Sequence, residues 1–178
     1  MKTENINYEK MKEVEKRLGC TFGDRGIFAE MSLDLAAYEE KTHPIADVEF
    51  KFFQGNVDDI KKAVALVDDQ WVQYFDNNMP IFCGYHEGQI ASFCNVDTNA
   101  DCMISAPGIT VGAIGCVGTV PQYRNLGIGL RMVDLATLYL KNKGCDKAYI
   151  HYTHIDKWYE KLGYGTFARF SFKENGNI

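Results

Sequence analysis

The residues best placed to do chemistry form one turn, Gly118-Thr119-Val120-Pro121-Gln122-Tyr123-Arg124-Asn125-Leu126-Gly127-Ile128-Gly129. The first N–H groups of a helix have no partner within it, and the helix dipole leaves about half a positive charge there. Glycines at Gly127 and Gly129 remove the Cβ atoms that would hold a phosphate off the backbone. The turn is therefore an anion site by construction, though any helix needing glycines at its start would look similar. A P-loop is excluded, because Ile128-Gly129-Leu130 supplies no Gly-Lys-Ser/Thr. The dinucleotide fingerprint is excluded too, because Met132 stands where its third glycine belongs. His151 and His154 have no evident third ligand, so no metal site is expected.

Elements on either side must position that turn. Ile114, Cys116, Val117 and Val120 suit a buried strand, and Pro121 stops its ladder. After the turn, Leu126, Leu130, Val133, Thr137 and Leu140 recur at spacings of a single helical face. Lys141, Lys143 and Gly144 form a helix stop. Upstream, Tyr8, Met11, Val14 and Leu18 predict an amphipathic helix ending at Gly19. Residues 20–44 read poorly: 27–35 fits a strand or a short helix, and 42–44 a loop. A strand is expected over 46–53, then a helix capped by Asn56 with Ile60, Val64, Val67, Trp71 and Tyr74 in one packing stripe. A hairpin follows around His86-Glu87-Gly88, with strands 81–85 and 89–96, then a polar loop over 97–108. The chain closes with a strand over 146–152, a helix capped by a Thr153/Asp156 box and ended by Gly163, and a strand over 166–172. This order gives one layered α/β domain.

Composition sets limits on partners. The 178 residues are 46% hydrophobic and 24% charged, ordinary values for one globular domain. A net charge of −5 argues against nucleic acid and is compatible with a cationic acceptor. Six scattered cysteines, without Cys-x-x-Cys and behind a polar N-terminus, read as reduced core residues of a cytoplasmic protein. No apolar run is long enough to span a membrane.

Arg124-x-x-Gly127-x-Gly129, preceded by Val120-Pro121, resembles the acetyl-CoA signature of the GNAT N-acetyltransferases. The run Tyr159-Glu160-Lys161-Leu162-Gly163-Tyr164 is similar to that family's Tyr-x-x-x-Gly-aromatic ending, and the element order from Ala46 onward agrees. The likeness covers 81–172 by motif and 46–79 by element order, leaving 1–45 as a variable N-terminal segment ahead of a 46–172 core. It implies a mixed α+β GNAT-like fold, with a central mixed sheet and helices on both faces. It also implies an N-acetyltransferase using acetyl-CoA as co-substrate, with no metal.

By that resemblance, backbone groups of Gly118, Thr119 and Val120 pair with the pantetheine arm. Amides of Arg124, Asn125, Leu126, Gly127, Ile128, Gly129 and Leu130 hold the pyrophosphate, and the Arg124 side chain adds charge. The family's catalytic tyrosine falls on Tyr159, which also lies on the apolar side of its helix where aromatics pack. The glutamate often found on the central strand is missing from Gly112 to Cys116, and the asparagine often found near the last helix is missing too.

Acetyl transfer to an amine needs a base, since an alkyl ammonium of pKa about 10.4 is neutral in only one molecule of a few thousand at pH 7. His151 is the first candidate, then Glu87 and Asp97; Cys116 could carry a covalent acetyl group, but no histidine adjoins it in sequence. The expected acceptor is a small-molecule or peptide primary amine attacking directly in a ternary complex. The rival is a non-catalytic acyl-CoA sensor or docking module of the same fold. A homodimer is compatible with either.

Overall fold

The computed structural model describes residues 4–76 and 78–173. Helix α1 (Tyr8–Leu18) is capped by the Asn7 side chain, which accepts from the Lys10 N–H, and ends at Gly19 in the left-handed region (φ 63°). Strands β1 (Cys20–Phe22) and β2 (Phe28–Asp34) follow. β2 is buried along nearly its whole length, so its sequence shows no alternation. Next come β3 (Val48–Phe52), α2 (Val57–Ala65), and the hairpin strands β4 (Ile81–His86) and β5 (Gln89–Asp97). The chain ends with β6 (Val111–Thr119), α3 (Ile128–Asn142), β7 (Lys147–Thr153), α4 (Asp156–Glu160) and β8 (Gly165–Phe172).

The eight strands form one mixed sheet in the order β1-β8-β2-β7-β6-β5-β4-β3. Every neighbouring pair is antiparallel except β6 and β7, which α3 links as a parallel crossover. β2 lies between β7 and β8, so residues before 46 complete the sheet. Helices α3 and α4 cover one face through Met132, Val133, Ala136, Leu140, Tyr159 and Leu162. The other face carries two separate clusters. One packs α2 and Phe75 on β4 and β5; the other packs α1 and the segment Cys102–Ile104 on β6, β7 and β8. No helix among the described residues is long and apolar enough to cross a membrane.

Four expectations need correction. The stripe after Asn56 is not one helix: α2 stops at Ala65, and a 3-10 turn over Asp69–Tyr74 restarts under its own cap, Asp68, leaving Tyr74 exposed. The segment 97–108 is not simply polar, since Cys102, Met103 and Ile104 are buried under α1. No Thr153/Asp156 capping box forms. Thr153 Oγ1 accepts instead from the Ile155 N–H (3.2 Å), and Asp156 is drawn off into an ion pair with Arg169. On α3 the buried face runs through Ile128, Met132, Val133, Ala136, Thr137 and Leu140, while Leu126 is exposed ahead of the helix.

Candidate active site

β6 and β7 pair only from Val111↔Lys147 to Ile114↔Ile150. Beyond Ile114 no further β6–β7 pair forms: β7 stays paired with β2 out to Thr153, while β6 bulges. On β5, Phe93 and Asn95 face Gly118 and Gly115, so β6 carries one extra residue in this interval, and Cys116 takes a positive φ of 48°. The result is a fork that opens one edge of β6 from Gly115 to Thr119 toward the start of α3.

Strand alternation decides which backbone groups line that opening. The Val120 N–H donates to the Ala91 carbonyl (2.9 Å), and its carbonyl accepts from the Tyr123 N–H (2.9 Å). Gly118 is two residues back and turns its backbone groups toward β5 as well. The open side therefore belongs to Val117 and Thr119. Gly118, Thr119 and Val120 cannot all pair with one neighbour, as the sequence reading had it, because only alternate residues of a strand face the same side. Gly118 has another reason to be glycine: a Cβ there would lie 2.3 Å from the Phe93 ring.

The turn leads directly into the N-terminus of α3. The Arg124 Nε donates to the Thr119 carbonyl (3.1 Å), folding the exposed side chain back over the turn, and the Arg124 N–H is held by the Pro121 carbonyl (3.2 Å). Asn125 and Gly127 take positive φ values of 64° and 79°, which reverse the chain into α3. Among the described residues no side chain caps α3, so the first-turn N–H groups of Ile128, Gly129 and Leu130 stay available to a ligand. Gly129 lets the helix press against β6, since a Cβ would lie 2.4 Å from Thr119 Oγ1. These features fit a pyrophosphate at the helix end and an extended arm along the β6 edge. Arg131 and Asp134 on α3 have a different task. Asp134 accepts from Tyr38 Oη (2.7 Å) and from the Lys41 and Thr42 N–H groups (2.9 and 2.6 Å), and Arg131 pairs with Glu40, so both anchor residues 38–42.

His151 stands one residue past the last β6–β7 pair, on the face away from α3 and at the apex of the fork. Its Nδ1 lies 2.8 and 3.0 Å from the two oxygens of the fully buried Glu30 carboxylate, which also accepts from Tyr149 Oη. Glu30 sits in β2, a strand the sequence left ambiguous. Its only signal was an acidic residue inside an apolar run. The rival bases lie elsewhere. Glu87 occupies the β4–β5 turn, beside the hollow lined by Asp47 and Tyr85, and Asp97 pairs with Ala113 below the fork. His154 packs edge-on to Phe28 (6.3 Å).

Tyr159 is buried between Trp158 (4.8 Å) and Tyr164 (6.1 Å). Burial pushes its phenol far above the ordinary range, with Cys94 and Cys116 adding to the effect. Buried phenols usually find a partner. Tyr38 bonds Asp134, Tyr149 bonds Glu30 and Tyr164 bonds Thr137 (2.8 Å), whereas Tyr159 has no such bond among the described residues. Cys116 is the one cysteine not fully buried, and desolvation beside Asp68 raises its thiol to about 11. That suppresses the thiolate a covalent route needs. Two wide hollows open on the β3–β4 side, one by Asp47, Glu49, Tyr85 and Glu87 and another by Phe52, Met79 and Tyr139, and neither is lined by His151, Tyr159 or Cys116.

The model of the acetyltransferase (GNAT) family matches residues 42–166. The chain belongs to this family. No curated protein matches the sequence. Among solved structures, the GNAT chain resembles the GCN5-related glucosamine N-acetyltransferase region of a fungal multi-domain GH3 β-N-acetylglucosaminidase, with a TM-score of 0.70 at 16% identity over 91% of this chain and 22% of that one. A GCN5-related N-acetyltransferase from Kribbella flavida gives 0.59 at 18% identity, covering 90% of this chain and 61% of that one. One from Sphaerobacter thermophilus gives 0.57 at 13%, covering 94% and 56%. This GNAT domain thus spans less than two thirds of each of these relatives. At such identities the likeness shows the fold, and the family's acyl-transfer chemistry rests on the sequence match.

Proposed function

We propose that this chain is an N-acetyltransferase that moves the acetyl group of acetyl-CoA to a primary amine by direct attack in a ternary complex. The observation that carries the reading is the fork: β6 leaves β7 after Ile114, and its open edge runs straight onto the uncapped N-terminus of α3. When bound, acetyl-CoA supplies a thioester carbon at which an N–C bond can replace the C–S bond. Val117 and Thr119 offer backbone groups to its arm, and the first turn of α3 faces its pyrophosphate. Tyr159, kept protonated by burial and without a competing partner, donates its proton to the departing sulfur. His151, at the apex, accepts the proton that the attacking nitrogen loses. Cys116 stays a thiol, so no acetyl-cysteine is formed.

Thiol release from acetyl-CoA, followed with spermidine, lysine, an aminoglycoside and a short peptide, tests this reading. Release that depends on at least one amine, with the acetylated amine found by mass spectrometry, is expected. Tight acetyl-CoA binding without release for any amine would instead favour an acyl-CoA sensor.

A further inference from the structure

The face of the sheet away from α3 is covered by two clusters that do not meet, one under α2 and one under α1. Gly115 lies between them. A Cβ built there would meet no atom within 4 Å, although the residue sits mid-strand in the sheet. Directly across on β5 is Asn95, which is 6% exposed. Its Nδ2 donates to the Tyr74 carbonyl (3.0 Å), which fixes the amide, and its Oδ1 is buried with no hydrogen-bond partner among the described residues. A buried carbonyl oxygen left unsatisfied costs about 1–3 kcal/mol, so a donor from a ligand is favoured there. On the other side of Gly115, His151 is the next residue of β7 after the last pair, Ile114↔Ile150, where the two strands begin to part. Asn95, Gly115 and His151 thus lie on three neighbouring strands and on one face of the sheet.

The proton on His151 is assigned by its neighbours. Both oxygens of Glu30 face Nδ1, and a carboxylate only accepts, so Nδ1 carries the hydrogen. Tyr149 Oη, 3.2 Å from Nδ1, spends its own proton on Glu30 and does not compete. Nε2 is left with a lone pair, on a side chain one third exposed.

We propose that the acceptor amine is received over Gly115, between Asn95 Oδ1 and His151 Nε2, with Glu30 as the positioning residue that keeps Nε2 free of its proton. The proposal rests on the transferase reading above and supplies its acceptor subsite. One N–H of the amine is held by Asn95 while another points at Nε2. As the N–C bond forms, Nε2 takes that proton, and the imidazolium charge falls beside the Glu30 carboxylate. The subsite suits a slender amine nitrogen bearing at least two hydrogens, because only a glycine floors it.

Two measurements test this. Nitrogen-15 NMR of the histidine rings in the free protein needs no turnover, so it stands or falls apart from the transferase reading. The neutral His151 ring is expected with its proton on Nδ1, and Glu30→Gln is expected to weaken that preference. A wild-type ring protonated on Nε2 overturns the dyad even if the protein acetylates amines. The second uses Gly115→Ala, whose methyl group meets nothing in the protein and so leaves the fold intact. With the best amine of the panel above, its KM should rise at least about tenfold while the Kd for acetyl-CoA changes less than about twofold. An unchanged KM overturns the subsite, and so does a loss of acetyl-CoA affinity, which would assign the gap to the cofactor. Absence of turnover by the wild type with every amine contradicts the transferase reading and removes the subsite with it, while the ring measurement still judges the dyad.

Discussion

Gly127→Val separates the two jobs of the turn. Gly127 has φ 79°, a left-handed value that costs an L-residue roughly 1–2 kcal/mol. The added Cβ would find only Ile45 Cδ1 at 3.7 Å, an ordinary contact, so packing contributes nothing further. Against a typical stability of about 5–15 kcal/mol, the protein stays folded. For a chain of this size the loss corresponds to a fall in Tm of about 2–8 °C. The valine also stands over the first-turn amides of α3 at the place a phosphate must approach. Affinity for acetyl-CoA is expected to drop by more than about tenfold, or ~1.4 kcal/mol. Calorimetric titration well below the variant's Tm reads this directly, and a thermal melt reads the strain. A lowered Tm with an unchanged Kd would refute the reasoning, since the glycine would then serve the backbone alone.

The remaining predictions concern protons. Tyr159→Phe keeps the ring in its packed site and removes only an unpartnered hydroxyl, so kcat should fall at least about tenfold with Tm and acetyl-CoA affinity nearly unchanged; a wild-type kcat would return Tyr159 to the core. With its thiol at about 11, Cys116 should be alkylated slowly at pH 7 and about tenfold faster per pH unit up to pH 10. Labelling at pH 7 as fast as a free cysteine peptide would contradict this and reopen the covalent route. Tyr149, Tyr159 and Tyr164 all have pKa values raised by burial. Their stabilising effect is complete below the unfolded-state value of about 10 and is lost as pH rises above it, because the unfolded chain then releases protons that the folded one keeps. Each phenol should lower stability by about 1.4 kcal/mol per pH unit in that range. A urea midpoint unchanged between pH 9 and 11.5 would contradict the burial of these rings.

Much of the turn between β6 and α3 was legible because local rules govern it. Gly127 needs a left-handed φ, Pro121 ends a ladder, and the spacing of Val133, Thr137 and Leu140 marks a helix, all within a short stretch of chain. The Glu30–His151 pair depends on strand order, which spacing does not encode. Glu30 and His151 are 121 residues apart and meet because β2 inserts between β7 and β8. The extra residue of β6 near Cys116 leaves no mark in composition, yet it opens the fork and decides that Val117 and Thr119, not three consecutive residues, face it. The capping box at Thr153 failed for a similar reason: Arg169, from β8, outbid the local partner for Asp156.

Amide hydrogen exchange with and without acetyl-CoA tests most directly whether the fork is where the cofactor binds. Protection is predicted in two separate stretches, the β6 edge at Val117 and Thr119 and the first turn of α3 at Ile128–Leu130. The β4–β5 turn around Glu87 and the hollow beside Phe52 should stay unchanged. Protection confined to those surfaces, with residues 117–119 and 128–130 exchanging as in the free protein, would contradict the account.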